Sequence, residues 1–334
     1  MKRWTETQMP GYVLIHNEGG ATLGYSPDSG VKILEVDGFA FKDLNGNGKL
    51  DPYEDWRLPV EERLADLASQ MTIEQIAGLM LYSAHQSVTL PKGGNSLFAS
   101  RFAGTYNGKP FAESGADISD LTDQQKEFLG KDKVRHVLVT AVESPAVAAK
   151  WNNHMQAFVE GMDLGIPVNT SSDPRHGAES NGEYLVGADG TISHWPSSLG
   201  MGATFNPAEV RKFGEIASKE YRALGIATAL SPQIDLATEP RWSRFSGTFG
   251  EGVKLSVDMA RAYCDGFQTS EGDAEIENGW GTDSVNAMIK HWPGGGSGEA
   301  GRDAHFAYGK YAVYPGHNFE EPMKPFTEGA MALE

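Results

Sequence analysis

The stretch Val134-Arg135-His136-Val137-Leu138-Val139-Thr140-Ala141-Val142, followed at once by Glu143-Ser144-Pro145, decides the fold class. Its β-branched run predicts a buried strand. Proline just behind a serine opens a helix, because the N–H it lacks would have had no intrahelical partner. In that helix Val147, Trp151, Phe158 and Met162 share a side, and Gly165 is the expected stop. Pro167-Val168-Asn169-Thr170 begins the next strand. Further on, Asn206-Pro207-Ala208-Glu209 caps a helix with Val210, Phe213, Ala217, Tyr221 and Leu224 on one face and Gly225 past its end. Ile226 to Ile234 predicts a strand, Lys254 to Gln268 a helix, and Asp283 to Trp292 another strand. Such alternation implies an α/β fold with a parallel sheet under helices, either doubly wound or a (β/α)8 barrel of the TIM type. Counting generously gives about five strand-helix units where closure needs about eight. The expectation is therefore an incomplete barrel, and Glu321 to Leu333 reads as a last helix running to the chain end.

Towards the N-terminus the rhythm differs. Up to about residue 60, Gly19-Gly20, Pro27-Asp28-Ser29-Gly30 and Asn45-Gly46-Asn47-Gly48 separate short strand-like pieces such as Val31 to Val36. Residues 1–60 are expected to be an extension and residues 61–334 the partial barrel. Met71-Thr72-Ile73-Glu74-Gln75-Ile76 predicts a helix start, with Thr72 capping, Gln75 reaching back and Met71 stapled to Ile76. Ser83 to Asp120, rich in Gly, Ser and Asn, is expected to be a surface excursion.

The 334 residues carry 28 basic and 45 acidic side chains, a net charge of −17, which repels phosphate backbones and anionic membranes. Neither nucleic acid nor a membrane is an expected partner. No apolar run is long enough for a span, and Met1 to Glu6 has no apolar stretch behind its basic residues, which leans the expectation to the cytoplasm. Cys264 is single, which excludes an intrachain disulfide and predicts a small buried group.

The polar residues that look chemical follow strands. They fall in four strings: Ser172-Asp173-Pro174-Arg175-His176-Gly177; Glu239-Pro240-Arg241-Trp242-Ser243-Arg244 leading to Thr248-Phe249-Gly250-Glu251; Lys290-His291-Trp292-Pro293-Gly294-Gly295-Gly296; and Gly301-Arg302-Asp303-Ala304-His305. A carboxylate, a guanidinium and an ammonium can each make charge-assisted hydrogen bonds to the adjacent hydroxyls of a pyranose. Trp292 and Trp242 are candidate apolar walls. The bland alternative is that Asp173 and Arg175 pair as a turn lock while Lys290 and His291 merely end a strand.

In order and spacing the four strings resemble glycoside hydrolase family 3 over roughly residues 60 to 334. The resemblance implies that Asp173, Arg244, Lys290 and His291 hydrogen-bond one terminal β-linked glucose-like unit of a β-glucoside or oligosaccharide. It also implies a retaining mechanism whose nucleophilic aspartate sits in a Ser-Asp-Trp string after a later strand. The Ser-Asp pairs here are Ser119-Asp120 and Ser172-Asp173. No catalytic nucleophile is therefore assigned in this chain; it is expected beyond Glu334, with the rest of the barrel supplied by a missing C-terminal part or another chain. Asp303 and His305 resemble the Asp-x-His dyad of family 3 β-N-acetylglucosaminidases and are the alternative acid/base. The expected function is exo-β-glucosidase, this chain holding the sugar-binding part. The alternatives are a β-N-acetylglucosaminidase or a non-catalytic, calcium-stabilised carbohydrate-binding protein.

A separate signal is Asp43-Leu44-Asn45-Gly46-Asn47-Gly48-Lys49-Leu50-Asp51-Pro52-Tyr53-Glu54. Its oxygen-bearing positions fit an EF-hand-type loop, with ligands expected from Asp43, Asn45, Asn47, the Lys49 carbonyl, Asp51 and Glu54, and glycine at the sharp turn. Structural calcium is the expected cofactor, with Asp55-Trp56-Arg57 anchoring the loop, and no organic cofactor is expected. His85, His136, His154 and His194 show no ligand spacing. Gly294-Gly295-Gly296 lacks the residues of a phosphate loop.

Overall fold

The computed structural model describes residues 1–88, 104–177, 192–292 and 294–332. They form two compact units, Met1–Leu138 with Lys150–Asn169, and Val139–Ala149 with Thr170–Glu334.

Unit 1 opens with an antiparallel sheet, β1 (Trp4–Met9), β2 (Tyr12–Asn17) and β3 (Thr22–Tyr25), in that order. A hairpin follows, β4 (Lys32–Val36) and β5 (Phe39–Asp43). Its turn residues Asp37 and Gly38 both have positive φ, as a two-residue hairpin turn that follows the strand twist requires. Val13, Ile15, Ala40 and Phe41 are buried. Helices α1 (Val60–Gln70) and α2 (Ile73–Leu79) come next, and the Thr72–Gln75 capping box forms as the sequence predicts. β6 (Gln86–Val88) is followed by the hairpin β7 (Thr105–Tyr106) and β8 (Lys109–Pro110), then α3 (Phe111–Ser114) and α4 (Asp123–Gly130). Of the predicted excursion from Ser83 to Asp120, residues 89–103 lie outside the described residues.

Two elements pass from one unit into the other along their length, β9 (His136–Val142) and α5 (Pro145–Glu160). The helix ends at Glu160, and Gly165 takes the left-handed conformation four residues before β10. Inside unit 1, Glu160 accepts from Lys42 Nζ (2.7 Å) and the Ser26 N–H (3.1 Å), tying this helix end to β5.

Unit 2 carries the parallel sheet, in the order β14-β11-β10 and then the later residues of β9. Its strands are β10 (Asn169–Ser172), β11 (Thr228–Ala229) and β14 (Asn286–Ala287), and a small antiparallel pair, β12 (Glu275–Glu277) and β13 (Trp280–Gly281), precedes the last. Its helices are α6 (Ser198–Gly202), α7 (Pro207–Ala223), α8 (Val253–Gln268) and α9 (Glu320–Lys324). α7 follows its predicted pattern, with the Asn206 side chain accepting from the Ala208 N–H and Val210, Phe213, Ala217 and Tyr221 buried. It packs against α8 at a glycine contact: a Cβ on Gly266 would come within 2.3 Å of the Arg211 carbonyl oxygen. Phe213, Tyr221, Tyr263 and Phe267 fill the space beside it, the last two stacked at 4.6 Å. Each such buried ring contributes roughly 2–3 kcal/mol of hydrophobic stabilisation. Cys264 is buried there, and burial pushes its thiol up to about 12.

The strand read from Ile226 to Ile234 is regular only over Thr228–Ala229. Pro232 has no N–H to donate, so pairing resumes only as a parallel bridge between Gln233 and Lys290. The strand read from Asp283 to Trp292 is likewise reduced to Asn286–Ala287 plus that bridge. The last predicted helix changes at Pro325 into a π-helical turn, Pro325–Ala330, and Leu333 lies outside the described residues. No closed barrel forms among the described residues.

Candidate active site

β10 ends at Ser172, and the string that follows divides its charges. Arg175 is buried: Nε donates to Ser172 Oγ (2.8 Å), and Nη2 donates to the carbonyls of Val139 (3.1 Å) and Thr140 (2.9 Å). Burial lowers its pKa. Instead of locking to Asp173 as the bland alternative supposed, the guanidinium clamps strand carbonyls in the middle of β9. The Asp173 carbonyl accepts from Tyr221 Oη (2.8 Å), which fixes its backbone against α7. Its carboxylate receives Lys290 Nζ at 2.5 Å, in a pair only 8% and 19% exposed at the side chains.

Lys290 reaches this position through the bridge to Gln233: its N–H donates to the Pro232 carbonyl (3.1 Å), and its own carbonyl accepts from the Ile234 N–H (2.8 Å). The Lys290–His291 peptide is cis. His291 then meets Asp235, which is 0% exposed. Asp235 Oδ1 accepts from the N–H groups of His291 (3.0 Å) and Gly295 (2.5 Å), while Oδ2 lies 2.8 Å from His291 Nδ1. Arg244 Nη1 approaches His291 Nε2 at 3.1 Å. A guanidinium only donates and a carboxylate only accepts, so the two contacts assign the imidazole as the Nδ1–H tautomer with its Nε2 lone pair towards Arg244. Arg244 itself is held at its carbonyl by Gln233 Nε2 (3.1 Å).

The structure thus brings together Asp173 with Lys290 and Arg244 with His291, and adds Asp235, which the sequence reading missed. The signal was faint: one acid between Ile234 and Leu236, where an apolar stretch gives way to a loop. Of the two tryptophans expected as walls, Trp292 is exposed and edge-on to Phe326. Trp242 is buried, so its ring belongs to the core and its indole N–H is committed to Asp303 Oδ2 (2.7 Å). Pro293, within the Lys290 string, lies outside the described residues.

Asp303 also accepts from the His305 N–H (2.9 Å) and contacts His305 Nδ1 through Oδ1. Burial raises its pKa, but the His305 N–H, the Trp242 indole and the His305 ring outweigh it and hold the carboxyl down at about 2. His305 is 66% exposed at its side chain. Gly301 presses on Arg241 and Trp242, where a Cβ would meet the Arg241 backbone at 2.6 Å, and this contact joins the second string to the fourth. His176 is buried against Glu220 at 2.7 Å. Burial lowers its pKa, and Glu220 also accepts from the Ser193 N–H (3.0 Å) and hydroxyl (2.8 Å), so the group reads as an internal brace.

In unit 1 the loop after β5 folds on its own oxygens. Asn45 and Asn47 donate through Nδ2 to Asp51 Oδ2 at 2.6 and 2.7 Å. Asn45 Oδ1 accepts from the Asn47 N–H (3.1 Å), and Asn47 Oδ1 from the Lys49 N–H (2.7 Å). Glu54 accepts from Leu44 (2.7 Å) and Asp51 (3.0 Å) N–H groups, and burial raises its pKa against their pull. Among the described residues no three His, Cys, Asp or Glu side chains group as a metal site. His136 stacks on Tyr82, and His154 Nδ1 lies 2.8 Å from the Ser119 carbonyl.

A parallel sheet with helices packed beside it, and with the Asp173–Lys290 pair and the Arg244–His291–Asp235 chain following its strands, defines a protein of the α/β class. Residues 102–330 match the glycosyl hydrolase family 3 N-terminal domain, and the chain belongs to that family. It is 39% identical over 301 residues to a periplasmic β-glucosidase/β-xylosidase of Dickeya chrysanthemi, covering 89% of this chain and 41% of the relative. It is 38% identical over 284 residues to the probable β-glucosidase C of Aspergillus oryzae (strain ATCC 42149 / RIB 40), covering 84% and 39%. The chain therefore spans about two fifths of the length of the curated relatives it matches. A family 3 β-N-acetylglucosaminidase structure from Paenibacillus sp. superposes with a TM-score of 0.56 at 19% identity, over 78% of this chain and 40% of that one, a likeness of fold alone. No helix among the described residues is long and apolar enough to cross a membrane.

Proposed function

We propose that this chain supplies the sugar-gripping part of a retaining exo-β-glucosidase that hydrolyses terminal non-reducing β-D-glucosyl residues, on a (β/α)8 scaffold. The observation that carries the reading is the pairing of Asp173 with Lys290, together with the chain Arg244–His291–Asp235 that starts from the next residue, His291. Charges held this far from water are costly unless ligand or protein groups satisfy them. Lys290 and Arg244 retain donors beyond those used internally, and Asp173 retains acceptor capacity; a row of ring hydroxyls complements that set. Asp235 acts on the sugar only through His291 and is a positioning residue. Neither Asp173 nor Asp235 is assigned as nucleophile, because each is engaged by internal cations or N–H donors.

The reading is tested by calorimetric titration with methyl β-D-glucoside and by turnover of an aryl β-glucoside by the intact enzyme. Lys290→Ala and Arg244→Ala should each lower affinity or kcat/KM roughly 10- to 100-fold, the cost of a charge-assisted hydrogen bond. Unchanged values in both variants would sink it.

The contact of His305 with Asp303 favours a second reading, β-N-acetylglucosaminidase, in which the exposed imidazole carries the proton and the carboxylate orients it. Parallel assays on the aryl β-glucoside and the aryl N-acetylglucosaminide separate the two, since only the second reading makes His305→Ala abolish turnover.

A further inference from the structure

Asp43 closes β5 with its side chain almost wholly withdrawn from water, the residue being 2% exposed. Its Oδ2 accepts from the Gly48 N–H at 3.1 Å, so the carboxylate faces the loop that it opens. Its Oδ1 is buried with no hydrogen-bond partner among the described residues. A buried carboxylate oxygen in that state is costly, and a cation at the loop removes the cost.

The rest of the loop offers the complement. Glu54, also buried, turns back across it to the Leu44 and Asp51 N–H groups. Asn45 and Asn47 converge on Asp51. Gly46 and Gly48 both take positive φ, which lets the chain wrap a small centre. The donors are carboxylate, carboxamide and carbonyl oxygens, a hard set with no nitrogen or sulfur ligand.

We propose that residues 43–54 bind one divalent hard cation of the calcium class, through Asp43, Asn45, Asn47, the Lys49 carbonyl, Asp51 and Glu54. The three carboxylates do not form the site alone; the two amides and the carbonyl complete it. Binding turns the Asn45 and Asn47 NH2 groups away from Asp51, so that the Oδ1 atoms, each with a lone pair to spare, face the ion. Calcium is favoured over magnesium because it tolerates many oxygens in irregular geometry, whereas magnesium demands a tight octahedron and keeps its waters. The ion fastens β5 to α1: the Tyr53 N–H donates to Asp66 Oδ2 (3.1 Å) on that helix, and the Trp56 indole donates to the Ala40 carbonyl (3.1 Å). Its role is to hold unit 1, independent of the glycosidase reading.

The test uses the purified chain after chelator treatment. Calcium is titrated by calorimetry and by thermal melting, magnesium serves as comparison, and terbium is the luminescent probe, sensitised by Tyr53 and Trp56. One binding event is expected, with a melting temperature raised by roughly 3–5 °C at a hundredfold excess over Kd. Asp43→Ala and Glu54→Gln should lose the shift and the terbium signal. The exposed Asn47→Ala, which leaves the buried carboxylates in place, should weaken calcium at least about tenfold with the fold intact. No heat and no shift at millimolar calcium in the unaltered chain would overturn the proposal. So would an undiminished shift in Asn47→Ala together with Asp43→Ala or Glu54→Gln.

Discussion

The loop at residues 43–54 and the cluster behind the parallel strands are both sets of polar groups facing inward, yet they are built in opposite ways. The loop draws its oxygens from twelve consecutive residues, and turn chemistry alone brings them together. The cluster joins Asp173 to Lys290, 117 residues apart, and Asp235 to His291, 56 apart, and depends on the sheet to do so. In the cluster each buried charge already has an internal partner, whereas in the loop Asp43 keeps an oxygen with no partner among the described residues. A local set can wait for its ligand because few other contacts depend on it; a distributed set must be satisfied within the protein before a ligand arrives.

That contrast can be broken most forcefully at Asp235. Asp235→Ala leaves the His291 side chain, its N–H and the Gly295 N–H without their acceptor, and should cost about 3–5 kcal/mol in urea unfolding while weakening sugar binding. A loss below about 1 kcal/mol would mean that the cluster is not interdependent. Next in size, a double-mutant cycle on Asp173→Asn and Lys290→Met should return a coupling of roughly 1–3 kcal/mol; additivity would make the pair incidental.

Asp303 sharpens the comparison through pH. Its carboxyl is held at about 2, below the unfolded value, so its contribution is present above about pH 4 and fades as pH falls towards 2. Asp303→Asn should lose at most roughly 2 kcal/mol at pH 7, and the gap between the two unfolding curves should close near pH 2. A constant gap would show that the effect is steric. The smallest effect belongs to Glu239, paired with Arg241 at 2.6 Å. The Arg241 end of the pair is 69% exposed, so solvent screens it, and Glu239→Gln should shift the melting temperature by no more than about 1 °C. A clear drop would reveal a structural demand on this loop.

Much of the architecture was legible because the signals were periodic or local. The face of α7, the extent of α8, the Thr72 and Asn206 caps and the run from Val134 to Val142 follow from signals along a single element. The lengths of the later strands were not legible, since Pro232 and the bridge at Lys290 limit pairing through a neighbour that the strand's own sequence does not mention. The partner of Arg175 and the role of Trp242 as a wall were misjudged for a related reason. The guanidinium settles among strand carbonyls and the indole bonds Asp303, outcomes set by burial.

By itself the sequence determined the alternation of strands and helices, the family to which the chain belongs and the twelve-residue oxygen-rich loop, because each depends on neighbours within a few turns of chain. Only the tertiary structure decided that Asp173 faces Lys290 and not Arg175, that Asp235 fixes His291, and that Asp43 buries an oxygen without a partner among the described residues. Those outcomes depend on which groups lose water when distant segments meet, and desolvation belongs to the packed whole.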